Sequence, residues 1–536
     1  MQTPIKKISG LFFAFFILSS IFSPASSANI IKNQDIDFIS YEEARQLSLN
    51  PHAEGALAKK LGRFFTTPII NNEAHYAGIK PHAPADPRIG PYLRAVTWNI
   101  EKSMEVPRVI EMMSNHSKIN GMIDSEKAAA ESIELKTVLQ QRARLEKVDI
   151  WVLQEMEIGI KRSGYLNATE ELAKALGMNY AYAPQYLEVD PVMLGTEKLL
   201  YDDGTEDKEA NEYYLEDPAK FKGVFGSAVL SRYPIKKVEI FPLDYQAYDW
   251  YHSEKRNISF LEKARRFGTK TTFKNEMTRE MKIGGGRGFF RVDLDVPGIP
   301  HNTLTIINIH LEIKCQPKER AAQMEEILEY IKPIKNPVIM MGDFNAAPGD
   351  ISPTSLTRVL SRTANDPSTW LSLGINYVSP HGLIINTTRT ATNLTKNFND
   401  PFARNIKVIA PNKLKAMFDP IRDFHFKDGT TFDFRGDAKR SIDGNDGLLS
   451  NSNQRGFKGF KTSFSVKRAL GFVGKFRLDW IFVKSGLLYG NEDTSAPYKL
   501  APHFGETLEE LNTSLKEPLS DHHPSVIDIP FEEPNF

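Results

Sequence analysis

A single cysteine, Cys315, among 536 residues excludes any internal disulfide, so the core must hold the fold in whatever compartment the chain occupies. Cys315 has no neighbouring Cys-His signature, and its expected role is structural. Neither charge is in excess: 67 Lys and Arg stand against 67 Asp and Glu, which excludes the strongly basic balance of a general nucleic-acid binder. Long apolar runs are also missing. Leu11 to Phe22 has twelve residues, short of the roughly 20 that a membrane-spanning helix needs. The chain shows no internal repeat. Asp443, Asn445 and Asp446 lack the spacing and closing Glu of a calcium loop, so the run around them reads as a flexible turn.

What is present begins at the amino end. Lys6 and Lys7, the apolar run and the small residues Ala25-Ser-Ser-Ala28 form the three parts of a secretory signal peptide over residues 1–28, and predict an exported protein, periplasmic or extracellular. Its removal leaves 65 basic against 67 acidic residues. Charge is uneven locally, with eleven acidic and two basic residues from Glu188 to Asp217, and eleven basic and three acidic from Lys255 to Arg291. The acidic stretch reads as a solvated surface. The basic one is either another such surface or a wall that attracts an anionic substrate.

Residues 29–90 carry Pro-rich punctuation and little periodicity, which predicts an irregular lead-in with one or two short helices. Strand-like runs follow at Leu93–Ile100, Val148–Gln154, Phe225–Ser231, Phe289–Val296, Leu304–Leu311, Val338–Met341, Phe476–Val483 and Ser525–Ile529. Pro317–Ile331 has a helical period, with Ala321, Met324, Ile327, Leu328 and Ile331 on one face. The mixture predicts an α/β architecture, interrupted by surface insertions near 186–222 and 350–470.

The candidate chemistry sits where apolar strands end. Asn99 closes Val96-Thr-Trp-Asn, and Glu155 closes Trp151-Val-Leu-Gln-Glu; oxygen ligands at such carboxyl edges suit a hard cation. Taken singly, Asn99 reads first as a turn former and Glu155 as a helix-capping carboxylate. His310 ends another apolar strand. Asp343 and Asn345 follow Gly342 at i and i+2, on one face if the strand stays extended; the aspartate can activate water and the amide can hold a phosphoryl oxygen. Asp479 lies inside an apolar strand and needs a partner, which His522 of Ser520-Asp521-His522-His523-Pro524 would supply.

In this order Trp98-Asn99-Ile, Gln154-Glu155, Ile309-His310-Leu, Gly342-Asp343-Phe-Asn345, Leu478-Asp479-Trp and Ser520-Asp521-His522 resemble the signature of the endonuclease/exonuclease/phosphatase (DNase I-like) superfamily. Gly226-Ser-Ala-Val-Leu-Ser-Arg-Tyr-Pro also resembles its central strand. Chain length alone suggests about three domains at roughly 150 residues each, but the motifs run from Asn99 to His522. They therefore predict one catalytic domain, 91–536. The resemblance implies a four-layered sandwich of two packed β-sheets flanked by helices, with the site at one end. It further implies Glu155 as main ligand for Mg²⁺ or Mn²⁺, helped by Asn99 and Asp521, with Asp343 activating water and Asn345 holding phosphate. His522, paired with Asp479, would stabilise the transition state, and His310 would contact phosphate or assist the leaving group. Arg162, Arg287 and Arg291 are further candidate phosphate contacts, because guanidinium groups suit phosphate.

The expected substrate is a phosphodiester or phosphomonoester. The Asn345-Ala-Ala continuation and the Leu478-Asp479-Trp triplet depart from inositol polyphosphate 5-phosphatases. Leu478-Asp479-Trp-Ile-Phe-Val resembles both the nuclease and sphingomyelinase branches and does not separate them; with no obvious amphipathic membrane helix to favour a lipid substrate, a nuclease or related phosphodiesterase, with nucleic acid as a candidate partner, leads over a sphingomyelinase-like enzyme. A catalytically silent binding protein is the reading from another class, and retention of all six motifs argues against it.

Overall fold

The computed structural model describes residues 30–87, 89–114, 117–201, 203–245, 281–284, 286–313, 315, 317–346, 413–433, 463–465, 475–486 and 504–532. The expected signal peptide, most of the basic stretch and most of the insertion near 350–470, with the run around Asp443, Asn445 and Asp446, lie outside these residues.

Numbered along the chain, the first sheet consists of β1 (Asn33–Gln34), β2 (Ile69–Asn71), β3 (Ala85–Asp86), β4 (Gly90–Asn99), β5 (Ile150–Ile158), β6 (Asn179–Glu188), β7 (Val224–Ser231), β9 (Lys282–Ile283), β16 (Phe504–Thr507) and β17 (Ser525–Pro530). Its main order is β1-β2-β6-β7-β5-β4-β17-β16, with β3 on β4 and β9 on β6. The second sheet runs β15 (Asp479–Lys484), β12 (Val338–Asp343), β11 (Thr303–His310), β10 (Gly288–Asp295), β8 (Ile235–Pro242). A small pair, β13 (Phe464–Ser465) and β14 (Lys475–Phe476), stands apart.

Alternation along the strands sorts side chains into layers. Ala95, Val152, Ala181 and Val229 of the first sheet meet Val292, Ile306, Met341 and Ile481 of the second in one buried cluster. The opposite faces bury Val96, Trp98, Trp151 and Leu153 on one side and Ile307, Ile309 and Met340 on the other. Helices cover both outer faces. Helix Pro317–Ile331 lies where its period predicts, with Ala321, Met324, Ile327, Leu328 and Ile331 all buried. The result is the helix, sheet, sheet, helix sandwich that the resemblance implies. Each fully buried aliphatic or aromatic side chain in these clusters contributes roughly 1.5–3 kcal/mol.

Three expectations change. Residues 30–86 hold short helices but are not an irregular lead-in: helices Tyr41–Leu49 and Gly55–Thr66 place Ile39, Leu47 and Phe64 in the core, and β1, β2 and β3 extend the first sheet. The stretch near 186–222 is partly built into the molecule, since β6 ends at Glu188 and Val189, Leu194 and Phe221 are buried. β6 and β8 have no counterpart among the predicted strands. Pro184 interrupts β6, and the register against β7 shifts between Pro184 and Tyr186, an irregularity that accommodates a proline inside a sheet.

Candidate active site

The inward-facing row of each strand is apolar until one end of the sandwich, where it turns polar. In β4 Leu93 and Ala95 lead to Thr97 and Asn99; in β5 Ile150 and Val152 lead to Gln154. In β11 Leu304 and Ile306 lead to Asn308 and His310; in β12 Ile339 and Met341 lead to Asp343; in β15 the row begins with Asp479 before Ile481 and Val483. The same parity that builds the core thus gathers the site. Asn308 bolts the two sheets together: its amide donates to the Leu153 and Ala228 carbonyls, both at 3.0 Å, and accepts from Gln154 at 2.9 Å.

Asp343 is at the centre. Its Oδ2 accepts from Asn99 Nδ2 at 3.0 Å, and its Oδ1 accepts from the Asn345 N–H at 2.8 Å. The same Oδ2 lies 3.6 Å from His310 Nε2 and 3.8 Å from His522 Nε2. Burial pushes Asp343 up to about 6, with His522 opposing and Asp479 adding to the rise. Gly342 makes this position possible: at φ +146° a Cβ there would meet the Ile309 carbonyl oxygen at 2.0 Å, across the parallel β11–β12 pair. Asn345, with φ 46°, ties its side-chain amide to the Leu311 carbonyl at 2.8 Å.

The two histidines differ in charge. Arg287 donates to His310 Nδ1 at 2.9 Å, which places the ring proton on Nε2, facing Asp343 and, at 3.8 Å, Glu155 Oε1. Burial and the Arg287 guanidinium hold His310 well below the ordinary imidazole range, so it is a neutral donor. His522 Nδ1 is 2.8 Å from Asp479 Oδ2. Burial works against its charge, but the Asp479 and Asp343 carboxylates hold it well above the ordinary range, so it is an imidazolium. Ser463 Oγ accepts from the Leu478 and Asp479 N–H groups, both at 3.0 Å, and fixes the partner strand.

Glu155 reaches the site through a bulge. The β5–β7 register shifts between Leu153 and Met156, and Glu155 takes φ 58°; bulges of this kind re-aim one side chain. Glu101, Lys102 and Ser103 follow Asn99 with φ of 46°, 53° and 57°, three left-handed residues in a row at roughly 1–2 kcal/mol each. Lys102 N–H donates to Glu155 Oε2 at 3.1 Å, and Glu101 N–H to Asn99 Oδ1 at 3.1 Å. Asp521 N–H donates to Glu101 Oε2 at 2.9 Å, and Ser520 Oγ donates to the Asn99 carbonyl at 2.7 Å. Burial pushes Asp521 up to about 7; His522 opposes this, and the Glu101, Glu155 and Asp343 carboxylates add to it.

An oxygen-donor set with this much uncompensated negative charge fits a hard divalent cation, and Glu155, Asn99 and Asp521 are the groups that would hold it. Asp343, Asp479 and His522 also bring ligand atoms within 4.8 Å of one another. Asp479 Oδ2 is paired with His522 Nδ1 and Asp343 Oδ2 with Asn99, which suits a proton-handling chain, while Asp479 Oδ1 is buried without a hydrogen-bond partner.

Of the sequence candidates, Asn99, Glu155, His310, Asp343, Asn345, Asp479, Asp521 and His522 come together, and Arg287 backs His310. Arg291 does not join them. It has the opposite parity from Phe290 and Val292, lies on the outer face of its sheet and pairs with Asp293 at 2.7 Å. Arg162 is held between the buried carboxylates of Glu157 and Glu188, which takes up its guanidinium. Asn308, Ser463, Ser520 and Glu101 have no role assigned from the sequence. Glu101, Asn308 and Ser520 carry a signal, each standing two residues from a motif residue, whereas Ser463 carries none.

A family model described as the Endonuclease/Exonuclease/phosphatase family matches residues 96–522. No curated protein matches the sequence. Among solved structures, an endonuclease/exonuclease/phosphatase from Beutenbergia cavernae DSM 12333 is 13% identical, with 82% of this chain and 72% of that chain covered and a TM-score of 0.32. The human Nocturnin catalytic domain with bound sulfate anion is 12% identical over 82% of this chain and 94% of that one, with a TM-score of 0.30. TDP2 from C. elegans is 11% identical over 98% and 99%, with a TM-score of 0.31.

Proposed function

This chain belongs to the endonuclease/exonuclease/phosphatase family, and on that premise we propose that it is an exported, divalent-cation-dependent phosphodiesterase, with nucleic acid as the leading substrate class. The observation that carries the reading is the convergence on Asp343 of Asn99, His310 and His522, with Glu155 beside His310. The amino-terminal pattern around Lys6, Lys7 and Ala25-Ser-Ser-Ala28 supports export.

Asp343 is the base. Its carboxyl lies closer to neutral than an exposed one, so it is ionised at pH 7 yet takes a proton from water more readily. Asn99 and the Asn345 N–H fix which oxygen faces the reacting centre. His522, charged and backed by Asp479, presents Nε2–H to a phosphoryl oxygen as negative charge builds. Neutral His310, its Nδ1 occupied by Arg287, offers Nε2–H to a second oxygen or to the leaving group. Mg²⁺ or Mn²⁺ held by Glu155 would neutralise phosphate charge and help align the in-line displacement.

The test is incubation of the purified protein with plasmid DNA, RNA, sphingomyelin and a chromogenic phosphodiester, each with Mg²⁺, Mn²⁺ or chelator. Asp343→Ala and His522→Ala should each lower turnover by roughly 10³-fold or more while leaving the circular dichroism spectrum intact. Wild-type rates in both variants would overturn the mechanism. Cleavage of sphingomyelin alone would move the assignment to a lipid phosphodiesterase, and inactivity on every substrate would favour a binding protein on this fold.

A further inference from the structure

We propose that Ser103 is a positioning residue for Glu155, and that the left-handed turn Glu101–Ser103 sets the geometry of the cation site. This rests on the reading of Glu155 as a cation ligand. The bulge at Glu155 breaks the β5–β7 ladder between Leu153 and Met156, and the broken stretch needs substitute partners for its backbone groups. One hydroxyl supplies two of them. Ser103 Oγ donates to the Glu155 carbonyl at 3.1 Å and accepts from the Glu157 N–H at 3.1 Å, so it bridges the peptides on either side of Met156. Ser103 is fully buried.

The turn also reaches the Glu155 side chain, because Lys102 N–H donates to Oε2. Its own shape is held by Ser103 N–H on the Ile100 carbonyl at 3.1 Å and by Glu101 N–H on Asn99 Oδ1. Glu101 Oε2 in turn receives the Asp521 N–H. Three consecutive side chains in left-handed backbone persist only where the surroundings over-determine them. Here the surroundings are Asn99, Glu155 and Asp521, the three residues that would hold the cation. The turn therefore fixes their separation, and Ser103 locks it to the bulge.

Serine suits this place because it donates and accepts at one buried atom. Ala leaves a buried carbonyl and a buried N–H without partners, whereas Gly removes the hydroxyl but relaxes the left-handed backbone. The experiment uses the full protein and Mn²⁺ as the probe. Mn²⁺ affinity is read by calorimetry, and kcat is followed against Mn²⁺ concentration, for wild type, Ser103→Ala, Ser103→Gly and Glu155→Gln. Both Ser103 variants should bind Mn²⁺ about 10- to 100-fold more weakly and recover most of kcat at saturating Mn²⁺, whereas Glu155→Gln should not recover. Ser103→Gly, which fits the backbone, keeps the test open if Ser103→Ala does not fold. Wild-type affinity in a folded Ser103 variant, with Glu155→Gln weakened, would overturn the positioning role alone. Wild-type affinity in Glu155→Gln would overturn the reading of the cation site and this inference with it.

Discussion

Two buried carboxyls, Asp343 and Asp149, are each pushed up to about 6 by burial, with different consequences. Asp343 must be ionised to accept a proton, so activity should fall as pH drops through about 6, and the acid limb of the kcat profile measures this. The limb should vanish with the activity in Asp343→Asn. Asp149 stands just before β5, accepts the His82 N–H at 2.7 Å on Oδ1, and has no hydrogen-bond partner for Oδ2. Its folded pKa lies above the ordinary value of 3.8, so the native state holds the proton more tightly than the unfolded chain. Its contribution to stability is therefore fully present below about 4 and is lost as pH rises to about 6. Asp149→Asn should raise the unfolding free energy at pH 7.5 by roughly 1–3 kcal/mol and flatten the slope between pH 4 and 6, as read by urea denaturation.

Elements decide where those residues point. Gly342 lets β12 run beside β11 at a distance that admits no side chain, and Gly342→Ala would force the Ile309 carbonyl away and displace Asp343. We expect a loss of at least about 3 kcal/mol in the urea-unfolding free energy, together with loss of turnover. The eight predicted strands all lie on observed strands, because period-2 apolar runs ending in a polar residue are legible one at a time. β6 was hidden by Pro184 and by burial on both faces, which erases alternation. β8 is an edge strand with Lys236, Lys237 and Glu239, a composition that reads as loop. The metal and base candidates were legible as strand ends. The bulge at Glu155 and the left-handed turn at 101–103 were not, since nothing in Glu-Lys-Ser announces positive φ; hydrogen bonds with Asn99, Glu155 and Asp521 hold the turn. Arg291 and Arg162 show the converse: residue type suggested phosphate, and strand parity or a carboxylate neighbour decided otherwise.

At the scale of the whole molecule, residues 30–86 are structural members of the sandwich. Removing 29–86 would take Ile39, Leu47, Phe64 and Ile69 from the core and leave β6 without β2 along one edge. At roughly 1.5–3 kcal/mol per buried side chain the shortened protein should lose more than about 5 kcal/mol, visible as a lower thermal midpoint and poor soluble yield. None of the described helices is long and apolar enough to cross a membrane. β17 enters the first sheet between β4 and β16 and pairs with β4 from Ser525 against Thr97 to Pro530 against Tyr92. β4 therefore finds one of its partners far along the chain. Arg94 of β4 grips Asp528 of β17 at 2.6 Å, and His522 stands three residues before that same strand. One segment therefore closes the first sheet against β4 and carries the imidazole of the candidate site, so a change that loosens its seat should disturb both at once.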